Sequence, residues 1–363
     1  MSDTRSFRLT GTVHAIAPVA IALVGNAPTS PHDPMPVPST SIWSREHGLV
    51  QTAYIPSTSL RGALRRCARD VLFDLLHPDG ESRWDLDTLY LQTIGGVIQK
   101  GAGESPTLDV TVEIEERARN PLVSLLGAAN TGRATFIAGR LELGHALPAA
   151  PLSPESCPIY PAMRTDDMRR DPAAMLPMLD ADGPQRWSLL YGQMRETSEL
   201  KARQRDLKRE AVKARKAGDT ETLAQANAEL DRVREALKSG TTSVAMPAAG
   251  FQALPQGLEL AHEIRLMGVT EEELGLFLEA LDRFSLAPLI GGQRARGCGE
   301  VALSYELAEI GGETIGEVRV GGFAPAVLPD HPAIAAARKA FAAGRDRYEP
   351  SFGGGADNAR ESA

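Results

Sequence analysis

Residues 258–307 read LELAHEIRLMGVTEEELGLFLEALDRFSLAPLIGGQRARGCGEVALSYEL. Leu258, Leu260, Ile264 and Leu266 fall on one face of a strand, because side chains alternate across a pleated backbone. Thr270 and Glu273 stand at the spacing of a capping box, in which each side chain satisfies a backbone N–H of the other. Behind them Leu274, Phe277, Leu278 and Leu281 recur at helical spacing. A Gly-rich loop follows, and then a strand over 300–307. Strand, helix, loop, strand is half of a ferredoxin-like sandwich, with an antiparallel sheet on one side and helices on the other. The fold class is therefore α+β.

Outward from this stretch, residues 7–24 read as a strand region through Phe7, Leu9, Val13, Val19, Ile21 and Leu23. Residues 26–41 (NAPTSPHDPMPVPSTS) form a Pro- and Ser-rich loop. A helix runs over 57–76. Leu108, Val110, Val112 and Ile114 alternate strictly, which predicts a half-buried strand over 107–115. A second strand is expected over 134–143, with Gly127 and Gly132 before it. Residues 148–184 are irregular. Residues 194–238 are free of aromatics and dense in Ala, Leu, Lys, Arg and Glu. Leu200, Leu207 and Ala211 mark an apolar stripe there, and Gly218-Asp219 offers a break and a new cap, which predicts an inserted helical hairpin. These boundaries give a core of residues 1–148 and 244–325, an irregular insertion at 149–193, a helical hairpin at 194–240, and a C-terminal helix with a disordered tail at 326–363. No internal repeat is visible.

The 363 residues carry a net charge of −8, with 42% hydrophobic and 24% charged residues. That is the composition of an ordinary soluble globular protein. Aromatics at 5% argue against a base-stacking platform as the main device. The acidic total argues against a globally basic coat, but leaves room for a basic stripe. Cys67, Cys157 and Cys298 form no CxxC pair and no zinc-like spacing, so the chain reads as reduced and intracellular, with a cytoplasmic location expected. The N-terminus lacks a signal-peptide core, and no apolar run is long enough for a membrane span, so no membrane partner is expected.

Two segments stand out. Residues 54–76 read YIPSTSLRGALRRCARDVLFDLL. Pro56 and the hydroxyls of Ser57, Thr58 and Ser59 mark a helix start. Leu60, Leu64, Cys67, Val71 and Leu75 form its buried stripe. Arg61, Arg65 and Arg69 recur every four residues on another face, with Arg66 beside them. Free N–H groups and the positive dipole end suit a phosphate, and basic side chains one turn in would hold further oxygens. An ordinary capped helix with a solvated basic face reads equally well from this segment alone, and Asp70 and Asp74 could neutralise part of that face.

The second segment, PLIGGQRARGCGEVAL, starts at Pro288. Gly291, Gly292, Gly297 and Gly299 permit positive φ and close backbone approach, with Gln293, Arg294 and Arg296 between them. Such a loop before a strand can cradle phosphates with its N–H groups. It is neither a P-loop nor a Rossmann fingerprint. A wide turn with two surface arginines is the plainer reading of Gly and Arg alone.

Together the segments carry a resemblance. IPSTSLRGALRR resembles the P-G-S-S-L-[KR]-G-x-[LI]-R signature of the repeat-associated mysterious proteins (RAMPs) of CRISPR systems, and GGQRARGCGEV resembles that superfamily's C-terminal Gly-rich loop. Between them LLGAANTGRATFIAGRLELGHA, which contains Arg133, resembles the F-G-x-G-x-[LV]-x-[FV]-x-D-A block. The three occur in the family's order, and the resemblance covers the core from about residue 7 to 307. Ser57 replaces the family's glycine after the first Pro, Leu126-Gly127 its Phe-Gly, and Gly144 its Asp.

The resemblance implies an RRM-like core and the backbone subunit of a multi-subunit class 1 CRISPR effector, type IV first and type III second. Such a subunit polymerises head-to-tail along the CRISPR RNA and presents it for pairing with a complementary target nucleic acid. Its implied partners are further copies of itself, a large subunit, a second RAMP subunit and a CRISPR-RNA-processing nuclease. A protruding thumb interrupts the pairing in such subunits. IYPAMRTDDMRRD (159–171) is the thumb candidate, with Arg164, Arg169 and Arg170 for phosphate and Met163 or Met168 as a wedge; a loop closed by Arg–Asp pairs is its other reading. Ser57, Ser59, Arg61, Arg65, Arg66 and Arg69 would meet the RNA on one side, and Gly291, Gly292, Gln293, Arg294, Arg296 and Gly297 on the other. Residues 195–216, with nine Lys/Arg against four Asp/Glu, read either as a solvated hairpin packing on a neighbour or as an arm touching a target or non-target strand.

Type III backbone subunits cut target RNA with an Asp in the loop before the Ser-rich helix. That place falls near Pro38-Ser39-Thr40, where no carboxylate stands; Asp33 is the nearest. The seven histidines show no metal spacing. The expectation is RNA binding without cleavage, cofactor or metal. The alternative is a RAMP-type endoribonuclease that cuts target RNA or the CRISPR transcript, which would use a His or Tyr base near the Gly-rich loop.

Overall fold

Along β1 (Arg5–Ala15), Phe7, Leu9, Val13 and Ala15 are buried while Arg8, Thr10 and His14 are exposed, so one face of this strand belongs to the core. The chain was analysed as a computed structural model whose described residues are 4–22, 33–80, 83–96, 110–130, 135–161, 173, 176–217, 219–238 and 250–351. After β1 come the hairpin strands β2 (Ser39–Ser44) and β3 (Gly48–Ala53). Four helices follow: α1 (Ser57–Leu76), α2 (Leu86–Ile94), α3 (Val110–Arg119) and α4 (Pro121–Leu126). Short strands β4 (Ala128–Asn130), β5 (Thr135–Ile137), β6 (Leu141–Leu143), β7 (Leu147–Pro148) and β8 (Ile159–Tyr160) come next. Helices α5 (Gly183–Ala217) and α6 (Thr220–Lys238) precede β9 (Phe251–Gln252) and β10 (Glu259–Val269). The chain closes with α7 (Glu271–Ser285), β11 (Val301–Glu309), β12 (Thr314–Val320) and α8 (Pro332–Ala343).

The main sheet runs β12-β11-β1-β10-β6, with β7 also on β10, and every pairing is antiparallel. Two βαβ units interlock in it. β10 lies between the strands of β1–α1–β6, and β1 lies between the strands of β10–α7–β11. This is the ferredoxin-like arrangement expected from residues 258–307, with β12 added at one edge. Leu9 pairs with Ile264 on one side and Leu307 on the other, so their buried side chains meet in one row. Against this face pack Leu60, Leu64 and Leu72 of α1 and Leu274, Phe277, Leu278, Leu281 and Phe284 of α7. The capping box forms as expected: Thr270 N–H donates to Glu273 Oε2 at 2.9 Å, and Glu273 N–H to Thr270 Oγ1 at 3.3 Å.

One row of the inner face holds polar groups. Gly11 lies opposite both His262 and Tyr305 in the register. Its missing side chain lets them meet, Tyr305 Oη to His262 Nδ1 at 2.7 Å, while His262 Nε2 lies 3.1 Å from the Gly144 carbonyl. A Cβ at Gly11 would stand 1.9 Å from the Ser304 carbonyl oxygen.

The other face of the sheet is open. Its exposed residues include Arg8, His14, Glu142, Glu259, Arg265, Glu306, Glu317 and Arg319, and no exposed Phe, Tyr or Trp among the described residues. Arg265 pairs with Glu263 and Glu142, and Arg319 with Glu317. An acidic face without aromatics is a poor platform for stacked bases.

Three expectations are corrected. Over 110–119 the chain is helical, because Glu113–Arg117 and Glu116–Arg119 pairs form at i,i+4 and i,i+3, neighbours only on a helix. The apolar alternation there leaves Val110 and Ile114 exposed. Residues 134–143 are two strands, not one, because the chain turns at 138–140 and sends Arg140 to Glu273, 2.8 Å away. The helical hairpin starts at Gly183, well before residue 194.

The described chain divides into two compact units, residues 1–161 with 250–363, and residues 162–249. Helix α8 packs on α7 inside the first unit, with Ile334, Ala337 and Phe341 buried. In the second unit Leu207 meets Leu230 and Val233 along the seam of α5 and α6. Asp219 caps α6, accepting from Thr222 N–H at 3.0 Å. No helix among the described residues is long and apolar enough to cross a membrane.

Candidate nucleic-acid interface

The start of α1 differs from its expected capping. Ser57 is its first helical residue, and the N-cap, Pro56, makes no side-chain cap bond. Ser57 N–H instead donates to His145 Nδ1 at 3.1 Å. The His145 ring is exposed and meets the buried Tyr54 edge-on, 4.9 Å between centroids. Thr58 is exposed and Ser57 and Ser59 half-exposed, so the end of the helix opens to solvent.

The arginine stripe of α1 faces inward. Arg65 is buried and binds four carbonyls: Leu91 (2.9 Å), Gln92 (3.0 Å), Leu126 (3.2 Å) and Gly127 (2.9 Å). These lie at the C-terminal ends of α2 and α4, where helices leave carbonyls unpaired and carry negative partial charge. Burial, and then the charge of Arg61, lowers the Arg65 pKa to about 10, so it stays protonated at neutral pH. Arg61 donates to Leu141 (2.8 Å) and Leu126 (2.7 Å) carbonyls, and burial lowers its pKa as well. Arg69 is held by Asp70 Oδ1 (2.6 Å) and Thr93 Oγ1 (3.1 Å). The i,i+4 spacing of Arg61, Arg65 and Arg69 thus serves to lock α2, α4 and β6 onto α1. It does not present three cations to a phosphate chain.

Arg66 behaves differently. It is exposed, and it makes no hydrogen bond or ion pair with a described residue. Ser59, Gly62 and Arg66 follow at i, i+3 and i+7, so they share the outer face of the helix. Gly62 leaves that face bare, and a Cβ there would lie 3.6 Å from Arg66 Nη1. The Arg66 side chain therefore reaches back over Gly62 toward the helix N-terminus. Burial, followed by repulsion from Arg294, lowers the Arg66 pKa. The charge of Arg294, on the Gly-rich loop, is thus felt at Arg66 on α1.

The loop is built to hold Arg294 outward. Gly292 N–H donates to the Ala20 carbonyl at 2.8 Å, and Gly299 N–H to Pro18 at 2.8 Å, which ties both ends to the stretch after β1. Gly291 has φ +69°, and a Cβ there would stand 2.3 Å from the Ala20 oxygen. Gln293 adopts φ 57° and ψ 26°, a left-handed conformation costly for a side-chain-bearing residue. A 3₁₀ turn over Arg294–Arg296 follows, and residues 292–297 are exposed. Among the described residues Arg294 donates only to the Gly291 carbonyl, at 3.3 Å, whereas Arg296 donates to Gln293 Oε1 at 2.7 Å. Cys298 is buried just behind, its pKa raised by burial.

Of the residues expected to meet RNA, the structure thus places Ser59 and Arg66 on one outer helix face, with Ser57 at the same helix end but bound to His145, and sets Arg66 within reach of the charge of Arg294 on the loop of Gly291, Gly292, Gln293, Arg294, Arg296 and Gly297. It turns Arg61, Arg65 and Arg69 away. Arg133, Arg164, Arg169 and Arg170, with Met163 and Met168, lie outside the described residues, as do residues 352–363 of the tail. Gly62 and His145 escaped the sequence reading. Gly62 stood within the quoted signature, where its i+3 spacing from Ser59 could have singled it out. His145 carried no local signal, because it reaches Ser57 only through the fold. Among the described residues no three His, Cys, Asp or Glu side chains could hold a metal ion.

Residues 48–302 match the family model described as RAMP superfamily. Among solved structures, the chain is similar to a chain of the Type IV-B CRISPR complex, with 14% identity, a TM-score of 0.43, and coverage of 84% of this chain and 90% of that one. It is also similar to Csc2 of Thermofilum pendens, with 13% identity, a TM-score of 0.36, and coverage of 85% and 68%. No curated protein matches the sequence.

Proposed function

The chain belongs to the RAMP superfamily, and from that premise we propose that it is a CRISPR-RNA-binding backbone subunit that holds the guide through its phosphates and does not cut it. One observation carries this reading. Arg66 on α1 and Arg294 on the Gly-rich loop are both exposed, the charge of Arg294 disfavours that of Arg66, and among the described residues neither forms an ion pair with a carboxylate, although Asp70 favours the charge of Arg66. A phosphate between them would relieve the repulsion. The bare Gly62 and the open end of α1 extend that surface along the helix. Contacts of this kind carry no sequence information, which suits a subunit that must accept any guide and leave its bases free to pair.

In this reading several copies line one guide head-to-tail within a larger effector, type IV before type III, and the guide pairs with a complementary target. The test is a titration of the purified chain with single-stranded RNA over a range of salt. The expected result is an affinity that falls steeply with salt, assemblies that grow with RNA length, and RNA recovered intact. A flat salt response contradicts phosphate contacts.

A second reading, RNA cleavage, is favoured by His145, an exposed imidazole over the start of α1. It predicts that RNA is cut by the wild type and left whole by His145→Ala.

A further inference from the structure

The outer face of α5 is charged in a way that the hairpin's own stability does not require. Lys201, Arg205, Lys208, Lys213, Arg215 and Lys216 are exposed, and none makes a hydrogen bond or ion pair with a described residue. They lie away from the seam residues Leu207 and Ala214, which are buried. The carboxylates are elsewhere: Glu199, Asp206 and Glu210 follow at i, i+7 and i+11 on the flank that holds Arg203, and Arg203 pairs with Glu229 of α6. Most of the cations are therefore set apart from the carboxylates. Lys201, Arg205, Arg209 and Lys213 succeed one another at i,i+4, where like charges destabilise a helix; Lys213 stands at i+3 from Glu210, and of these four only Arg209 forms an ion pair among the described residues, with Asp206 at 3.8 Å. A run of mutual repulsion on a chain of net charge −8 favours an anionic partner on that face.

We propose that this face of α5 is a second nucleic-acid-binding surface and that its ligand is the phosphate backbone of duplex DNA. Three features select that ligand. The stripe from Lys201 to Lys216 covers about 22 Å at ~1.5 Å of rise per residue, the scale of several phosphates. No aromatic residue occurs between Tyr191 and Phe251, so single-stranded bases would find nothing to stack on. The cations flank the helix on both sides, with Lys208 and Arg215 on one and Arg209 and Lys213 on the other. That suits a helix lying between the two phosphate ridges of the B-DNA major groove, which admits a helix at about 12 Å width. The corresponding groove of duplex RNA is closed to side chains. The surface lies in the second compact unit, and its assignment does not depend on the guide-binding reading.

The test uses the full chain and a short labelled DNA duplex of random sequence. Wild type is expected to bind it with strong salt dependence. A Lys201→Gln, Lys208→Gln, Arg215→Gln, Lys216→Gln variant keeps helix propensity, and circular dichroism checks that it is folded. It should bind the duplex at least tenfold more weakly, with a salt slope shallower by about 3 to 4, since each lost phosphate contact removes about 0.9. The proposal is overturned if wild type ignores duplex DNA at low salt, or if the folded four-site variant binds like wild type. It is also overturned if that variant loses single-stranded RNA or anionic vesicles and keeps the duplex.

Discussion

The guanidinium of Arg65 donates to the Gly127 carbonyl at 2.9 Å, from a position between the C-terminal ends of two helices. A cation so placed stabilises the fold, and its removal takes a donor from four buried carbonyls, of which Leu91 keeps the Gly95 N–H and Leu126 keeps Arg61. Arg65→Met should lower stability by about 3 kcal/mol or more in urea unfolding. RNA affinity and salt slope of the molecules that remain folded should stay as in wild type. A stable Arg65→Met with a shallower slope would return this residue to the phosphate surface.

Gly62 separates stability from binding. It stands half-exposed in a helix interior, where Gly→Ala stabilises by about 0.5–1 kcal/mol, and its Cβ would make only an ordinary contact with Arg66. Gly62→Ala should therefore raise the melting temperature. Gly62→Leu should keep the fold and weaken single-stranded RNA binding at least tenfold, by filling the bare strip beside Arg66. Equal RNA affinity for Gly62→Leu and wild type would show that RNA does not pass there.

His262 predicts a pH dependence. Burial lowers its pKa to about 4, against 6.5 for the free side chain. The unfolded chain takes up a proton in that interval and the folded chain does not. The stability contributed by neutral His262 is thus present above about pH 6.5 and is lost as pH falls toward 4, up to about 3 kcal/mol. Burial raises the Tyr305 pKa, so its hydroxyl keeps its proton for His262 Nδ1. Tyr305→Phe should cost about 1–3 kcal/mol at neutral pH, measured by chemical denaturation. A stability flat between pH 6.5 and 4 would contradict the buried neutral ring.

The core was legible where local patterns and tertiary burial agreed. Leu260, Ile264 and Leu266 alternate and are buried, and Thr270 and Glu273 cap as their spacing demands. Over Val110–Ile114 the apolar alternation carries less weight than the Glu113–Arg117 pair beside it, which forms only on a helix, and Leu108 lies outside the described residues. The site was legible as segments but not as directions. Spacing placed Arg61, Arg65 and Arg69 on one face, yet only the fold shows that α2 and α4 aim their carbonyls at that face. Nothing local distinguishes those arginines from Arg66, one residue further on, which points outward.

The apposition of Arg66 and Arg294 is tested most directly by a double-mutant cycle. Arg66→Gln, Arg294→Gln and the pair would be titrated with single-stranded RNA at several salt concentrations. The pair should weaken binding and flatten the salt slope by about 0.7, the share of the one phosphate they hold together, and each single change should do so by less, with unfolding free energies close to wild type. If the double variant binds RNA with wild-type affinity and slope, the guide does not lie between α1 and the Gly-rich loop.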